Sequence, residues 1–547
     1  MKFGYQGNWW RDDRELHTNT QDLAYTFRAG VPISITEYAN PYFNNARAAM
    51  TSFFAQDQWT FNRLTLQGAV RYDHPWSWFP AVTQPASTFF QGVSFPRSDG
   101  VTGYNDITPR MGAVYDVSGT GKTAVRVSLG KYLMGASVGN LVSGANPSLR
   151  IPGGTAAAFG NPNVTRTWTD RTPPGSPNYY TPNCVLTNPL PNGDCGQINN
   201  LLFGSNQFVG ANYDPGLLSG WGVRPSDWSF GASVQQELFP NASVEVGYYR
   251  RTFTQYTTGG TVTKNLNIGP GDLTPFYLTA PIDPRLPGGG GYQIGPLYNL
   301  TPEAFARPTN LLVKSTKDVG DDTRVFNGVD VTFNLRNVKG FTFSGGTSTG
   351  KVVNDWCAIR AAVPENTLLG ASTLLNPYCH AESPVQTSFN GLATYILPKI
   401  DVLISGVYRD RPILNGTPNN ASTDQLAGSI PATFTFTATD QYGAAIARQI
   451  GRPLTGGPFT VNLITPGTLY GGGSLYGERN RQMDLGFKKI IRLGGRRLTA
   501  GLDIYNVTNS DTTLFYNTTY LPNVTGWLTT SAYMNPRVFR LAAEFAF

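Results

Sequence analysis

The sequence predicts an all-β protein, a transmembrane antiparallel β-barrel with long external loops. Three observations carry that reading. The first is the final run, Arg537 to Phe547. In steps of two it places Phe547, Phe545, Ala543, Leu541 and Phe539 on one face and Ala546, Glu544, Ala542 and Arg540 on the other. A period of two is a strand, not a helix. The second is composition. Charged residues are 14% of the chain and aromatics 12%, against roughly 25% charged in ordinary globular domains. Mean hydropathy is nevertheless slightly negative. Barrel strands produce that combination, because alternate residues face lipid and water and the average cancels. The third is a hairpin pattern that recurs along all 547 residues.

Taken in order, the first span is Lys2 to Arg11. Asp22 to Asn40 falls in the first external loop. Ser52 to Thr60 then turns at Phe61-Asn62 into Arg63 to Asp73. In that strand Leu64, Leu66, Gly68, Val70 and Tyr72 share one face, and Thr65, Gln67, Ala69, Arg71 and Asp73 the other. Ile107 to Val117 turns at Ser118-Gly-Thr-Gly121 into Thr123 to Leu133. Trp228 to Leu238 turns at Phe239-Pro-Asn-Ala242 into Ser243 to Tyr249, where Val244, Val246 and Tyr248 alternate with Glu245, Gly247 and Tyr249. Arg324 to Arg336 turns at Asn337-Val-Lys-Gly340 into Phe341 to Gly350. Thr387 to Leu397 turns at Pro398-Lys399 into Asp401 to Arg409. Arg481 to Ile491 turns at Gly494-Gly495 into Arg497 to Asn506, and the terminal strand follows. Gly, Asn and Pro at these turns supply the dihedrals that tight hairpins need.

That makes fourteen spans, an even number that puts both ends on the same side of the membrane. The largest connections, about 135–225, 257–322 and 411–478, are rich in Pro, Gly, Asn, Thr and Tyr. Structureless connections of this length argue against a compact soluble domain. Short turns alternating with long loops are the pattern of outer-membrane barrels. No run of about 20 apolar residues provides a transmembrane helix. No Lys/Arg block suits nucleic acid, although the formal charge is +7. Met1 to Trp10 contains no charged region followed by an apolar one, so it does not read as an export signal. The expectation is a mature or incomplete chain.

Several motifs resemble a known family. Asp106-Ile-Thr-Pro-Arg-Met-Gly-Ala-Val-Tyr-Asp116 and Gly130-Lys-Tyr132 look like the barrel of TonB-dependent receptors. Phe54-Ala-Gln-Asp-Gln-Trp59, Gly220-Trp-Gly-Val-Arg-Pro225, Asp283-Pro-Arg-Leu-Pro-Gly-Gly-Gly-Gly291 and Tyr476-Gly-Glu-Arg-Asn-Arg-Gln-Met-Asp484 fit the Oar-like (carboxypeptidase-regulatory-like) branch, as does Leu502-Asp-Ile-Tyr-Asn506. The resemblance implies a bacterial outer-membrane location and a barrel of about 22 strands. It also implies a plug, an extracellular nutrient ligand and coupling to the TonB complex. No plug and no TonB-contacting box are found here. Residues 1–547 are therefore read as one barrel domain, the C-terminal portion, with the plug and early strands absent. The terminal aromatic face (Phe547, Phe545, Leu541 and Phe539) resembles the signal read by barrel-assembly machinery. Inward Arg71, Glu245, Asp330 and Arg336 are expected to line the lumen and meet the plug. Passive porin-like and adhesive or structural barrels are the alternatives. No catalytic set stands out, and neither a cofactor nor a metal is expected.

Sharper motifs have plainer readings. Gly119-Thr-Gly-Lys122-Thr123 lacks the first glycine of a phosphate loop, since position 116 is Asp116. It reads as a hairpin turn. Cys184 and Cys195, and Cys357 and Cys379, bracket two loops, and an oxidising periplasm favours two sequence-local disulfides. A zinc site at Cys379 and His380 lacks a second ligand pair. Asp318, Asp321 and Asp322 could offer oxygen ligands to calcium, against a solvated rim. His17, His74 and His380 read as loop or rim residues. Trp76 and Trp78 read as interfacial girdle in preference to a stacking surface for ligand.

Overall fold

In the computed structural model fourteen long strands follow one another in chain order. The structure describes residues 1–152, 161–203, 211–256, 259–365, 367–368, 371–412, 430–465, 477–494, 496–522 and 524–546. The strands are β1 (Lys2–Leu16), β2 (Tyr42–Phe61), β3 (Leu64–Phe79), β4 (Gly103–Asp116), β5 (Thr123–Leu133), β6 (Ser226–Phe239) and β7 (Ala242–Thr254). Then come β8 (Thr323–Val338), β9 (Phe341–Asp355), β10 (Gln386–Leu397), β11 (Val402–Pro412), β12 (Arg479–Leu493), β13 (Arg496–Tyr505) and β14 (Val538–Ala546). Each pairs antiparallel with the next. Among the described residues, no helix is long and apolar enough to cross a membrane.

The registers fix two faces. Val234 lies opposite Val246, which lies opposite Val331. These three valines are 46%, 47% and 37% exposed. One residue along, Gln235 lies opposite Glu245, and Glu245 opposite Thr332. An apolar stripe left open across successive strands would be an aggregation surface in water. Against lipid it is the favourable face, and the polar stripe is the lumen wall. In β14, Phe539, Leu541 and Phe545 share the outward face and are 62%, 83% and 48% exposed. Phe547 lies outside the described residues.

Several strands run longer than their hydrophobic pattern. On the outward face of β1, Phe3, Tyr5, Gly7 and Trp9 give way to Arg11 and Asp13, which pair with each other, and Arg47 on β2 reaches Asp13 at 2.5 Å. Hydrogen bonding continues past this level to Leu16. The amphipathic signal stops there because both faces become polar. Trp9 and Trp76 flank Ala49 in register, and Trp78 lies opposite Arg47. The indoles thus mark the change from apolar to charged surface, as an interfacial girdle does. At the opposite end the turns are tight, with Asn62 and Asn241 at φ 50° and 69°, a region Asn tolerates. One turn differs from expectation. β8 continues through a register shift to Val338, so the reversal falls at Lys339-Gly340, with Gly340 at φ 83°.

The described parts of the connections expected to be structureless contain folded elements. Leu23–Arg28, Val31–Tyr38 and Asn163–Thr167 make a three-stranded sheet outside the membrane. Three other connections meet in an external core that contains Phe276, Leu278, Leu297, Phe434, Val461 and Trp527. Burying each such side chain contributes roughly 1.5–3 kcal/mol. The helix Gln441–Ile450 joins this core through Ile446. Asp440 accepts from the amides of Tyr442 and Gly443 at its start, and Gly451 ends it at φ 75°. Their composition looked loop-like because Gly and Pro are frequent. The apolar residues among them still find partners.

Candidate functional site, the inner wall and the external mouth

Alternation places Arg71, Glu245 and Asp330 on the polar face of the sheet, and Arg336 follows the last regular pair, Leu335 opposite Phe343. They do not form one site. Arg71 on β3 donates to Asp73 at 2.7 Å and to Gln6 at 2.9 Å. Glu245 on β7 lies 3.7 Å from Arg126 of β5, which also donates to Gln235 at 2.7 Å. Asp330 on β8 faces Gly247, diagonal to Glu245. Arg336 stands at the turn end of the wall, exposed, with its amide bonded to the Asn241 carbonyl at 2.9 Å.

Periodicity gave no hint of Arg224. It belongs to the long connection before β6, yet its guanidinium is buried at 3% exposure between two wall carboxylates. Nη2 is 3.4 Å from Asp73 and Nε 3.0 Å from Asp106. Asp73 and Asp106 are opposite one another on β3 and β4. Beside them, Leu141, Leu217 and Val223 of the connection pack with Val101, Tyr104 and Ala48. The connection therefore folds onto the inner surface at the external end of the barrel. The only sequence signal was Gly220 to Pro225, where Arg224 sits.

Outside the membrane the structure is braced. Cys184 bonds Cys195 and Cys357 bonds Cys379. Arg166, fully buried, donates to the carbonyls of Gly196, Leu186, Asn188 and Leu190 around the first of these loops and pairs with Glu37 at 3.3 Å. Burial lifts the Glu37 carboxyl above the usual range, against the pull of Arg166. In the external core Arg285 holds Asp283 at 2.6 Å, and the Tyr520 hydroxyl donates to Asp283 at 2.8 Å. The Arg285 guanidinium keeps the Asp283 carboxyl well below the usual carboxylate range. Burial, reinforced by Asp283, pushes the Tyr520 phenol upward.

The remaining motifs resolve simply. Among the described residues no group of three or more His, Cys, Asp or Glu could hold a metal ion. Cys379 is in a disulfide, and His380 contacts Asp355 at 2.8 Å. His74 contacts Asn105, and His17 contacts Glu15. Gly119 and Gly121 donate their amides to Asp116, closing the turn before β5.

A family model described as Outer membrane beta barrel domain matches residues 2–540. No curated protein matches the chain. Solved structures similar to it include the ferric-catecholate import receptor Fiu from E. coli K12, with TM-score 0.40 and 11% identity over 99% of this chain and 54% of that one. The outer membrane transporter YddB from Escherichia coli gives TM-score 0.43 and 9% identity over 99% of this chain and 66% of that one. The FrpB iron transporter from Neisseria meningitidis gives 0.42 and 10% over 99% and 54%. The chain thus spans between 54% and 66% of the length of these three.

Proposed function

Since this chain belongs to the outer membrane beta barrel domain family and sits in the bacterial outer membrane, we propose that it is the barrel portion of a TonB-dependent receptor of the Oar-like branch. Such a receptor takes up an extracellular nutrient and does no covalent chemistry of its own. The observation that carries this reading is the open meander. Among the described residues β1 pairs only with β2, and β14 only with β13. A bilayer offers no water to free strand edges, so backbone N–H and C=O groups there must find partners. Strands outside these fourteen would supply them and bring the barrel toward the about 22 strands of plugged transporters.

The inner wall supports the same reading. Arg71 and Glu245 already meet Asp73 and Arg126 on the wall, while Asp330 and Arg336 form no ion pair among the described residues and need water or a partner, because isolated burial is costly. A plug seated in the lumen would be that partner, and TonB would act through it. The braced external loops would meet the ligand first.

The test is reconstitution. In a planar bilayer this chain alone should give no stable pore, while the full-length gene product should take up ligand only when TonB is present. A steady, TonB-independent conductance from the 547 residues alone would instead establish a passive porin-like channel. Cell adhesion lost on deleting external loops, with uptake intact, would establish an adhesive barrel.

A further inference from the structure

The arginines of the inner wall divide into two groups. Arg71, Arg126, Arg251 and Arg540 each have a carboxylate partner, Asp73, Glu245, Asp227 and Asp503, at 2.7, 3.7, 2.7 and 2.8 Å. Arg409 and Arg411 on β11 have none among the described residues; nor do Arg110, which lies over the Tyr132 ring, and Arg336, but those two stand apart on different strands. Both are exposed, and both face inward, since their outward neighbours Tyr408 and Asp410 lie opposite Met483 and Arg481. Two residues apart on one strand, they are roughly 7 Å from each other along the chain. Two like charges that close repel weakly in water, by less than about 1 kcal/mol, and an anion between them turns the repulsion into attraction to both.

The wall around them is concave. Arg411 lines a recess of about 530 Å³ with Ser348, Ser388, Asn480 and Phe515, and Arg409 lines an adjoining one of about 440 Å³ with Asn390 and Asp330. Ser348 borders both. The floor is low because Gly346 lies opposite Asn390 on the inner face. Asp330 forms no ion pair with either arginine among the described residues. Asn480 lies directly opposite Arg411. It is only 9% exposed, and its side-chain oxygen has no hydrogen-bond partner among the described residues. A buried acceptor left empty costs about 1–3 kcal/mol, so a donor reaching the Asn480 oxygen would be favoured.

We propose that this recess binds a small solute whose oxyanion sits between Arg409 and Arg411 and whose neighbouring hydroxyl donates to Asn480. A phosphate ester of a polyol has that chemistry. Guanidinium forks suit phosphate oxygens in pairs, and Ser348 and Ser388 add hydroxyls at the rim. Phe326 and Phe515, also in the wall, would cover the carbon skeleton. The proposal deepens the uptake reading and rests on the inner face being a water-filled lumen. Insertion of the full-length gene product into lipid vesicles tests that premise separately.

The experiment is calorimetry on the detergent-solubilised full-length gene product at low ionic strength. The probes are glycerol 3-phosphate, inorganic phosphate, glycerol and a hexaglutamate peptide. Glycerol 3-phosphate should bind, glycerol should not, and added salt should weaken the binding. Arg409→Gln with Arg411→Gln should lower affinity at least about tenfold. The pair Arg409→Lys with Arg411→Lys keeps the charge, loses the fork and should fall between. Asn480→Leu should weaken glycerol 3-phosphate severalfold and leave inorganic phosphate unchanged. Arg110→Gln, elsewhere on the wall, should change nothing. No binding of glycerol 3-phosphate at about 10 mM would overturn the proposal, as would equal affinity in the double glutamine variant. Hexaglutamate binding in place of glycerol 3-phosphate would also overturn it, assigning the pair to a polypeptide carboxylate.

Discussion

Arg224 places its Nε 3.0 Å from the Asp106 carboxylate, joining the longest external connection to the inner wall of the barrel. The same guanidinium lies 3.4 Å from Asp73 on the neighbouring strand. Replacing it with methionine leaves two carboxylates facing each other in a buried site. Breaking a buried pair from one side costs about 3–5 kcal/mol. The Arg224→Met variant should keep its strands and release the connection 134–225. Hydrogen exchange should rise in that segment and stay slow in β3 and β4. Unchanged exchange there would refute the tether.

The two faces of β7 make a second contrast. Val246 faces lipid and Glu245 faces the lumen, one residue apart. Val246→Arg should cost about 2–4 kcal/mol if it lies near the bilayer midplane. Glu245→Gln should cost less than about 1 kcal/mol, since Arg126 keeps its bond to Gln235. Urea titrations of the full-length gene product folded into lipid vesicles measure both. Equal costs would contradict the assignment of faces.

The spans were legible because the two faces of a barrel strand meet different solvents. Val244, Val246 and Tyr248 against Glu245, Gly247 and Tyr249 is a pattern that no helix produces. Legibility ended where the solvent became the same on both sides. Beyond Trp9 the outward face of β1 carries Arg11 and Asp13, and the strand runs on to Leu16 unannounced. The external core was hidden for another reason. Phe276, Phe434 and Trp527 are far apart in the chain, and their shared burial leaves no local period. Arg224 and Arg409 look alike in sequence, arginines near strand ends. Only the register and the loop path show that one is doubly paired while the other has no carboxylate partner among the described residues.

The loop stapled by Cys184 and Cys195 has two independent braces. Removing the disulfide by Cys184→Ser with Cys195→Ser should cost roughly 3 kcal/mol of unfolded-state constraint, in the entropic account. Arg166 still donates to four carbonyls around the loop. The variant should therefore resist protease under native conditions and lose that resistance at a lower temperature than the parent. Adding Arg166→Met to the serine pair should open the loop at any temperature. If the serine pair alone opens it, the arginine contributes little.

The external core should have a stability window set by Asp283 and Tyr520. Asp283 has a depressed folded value, held down by Arg285. Its contribution is complete above the unfolded carboxylate value of about 3.9 and shrinks as pH falls below it. Tyr520 is shifted the opposite way, chiefly by burial. Its contribution is complete below the unfolded phenol value of about 10 and shrinks as pH rises beyond it. Thermal unfolding followed through Trp527, which is buried in this core beside Tyr520 at 5.3 Å between ring centres, should be flat between these limits and fall outside them. Asp283→Asn should flatten the acid limb, and Tyr520→Phe the alkaline limb, each at some loss of stability near neutrality. An acid limb that survives in Asp283→Asn would place the responsible carboxylate elsewhere.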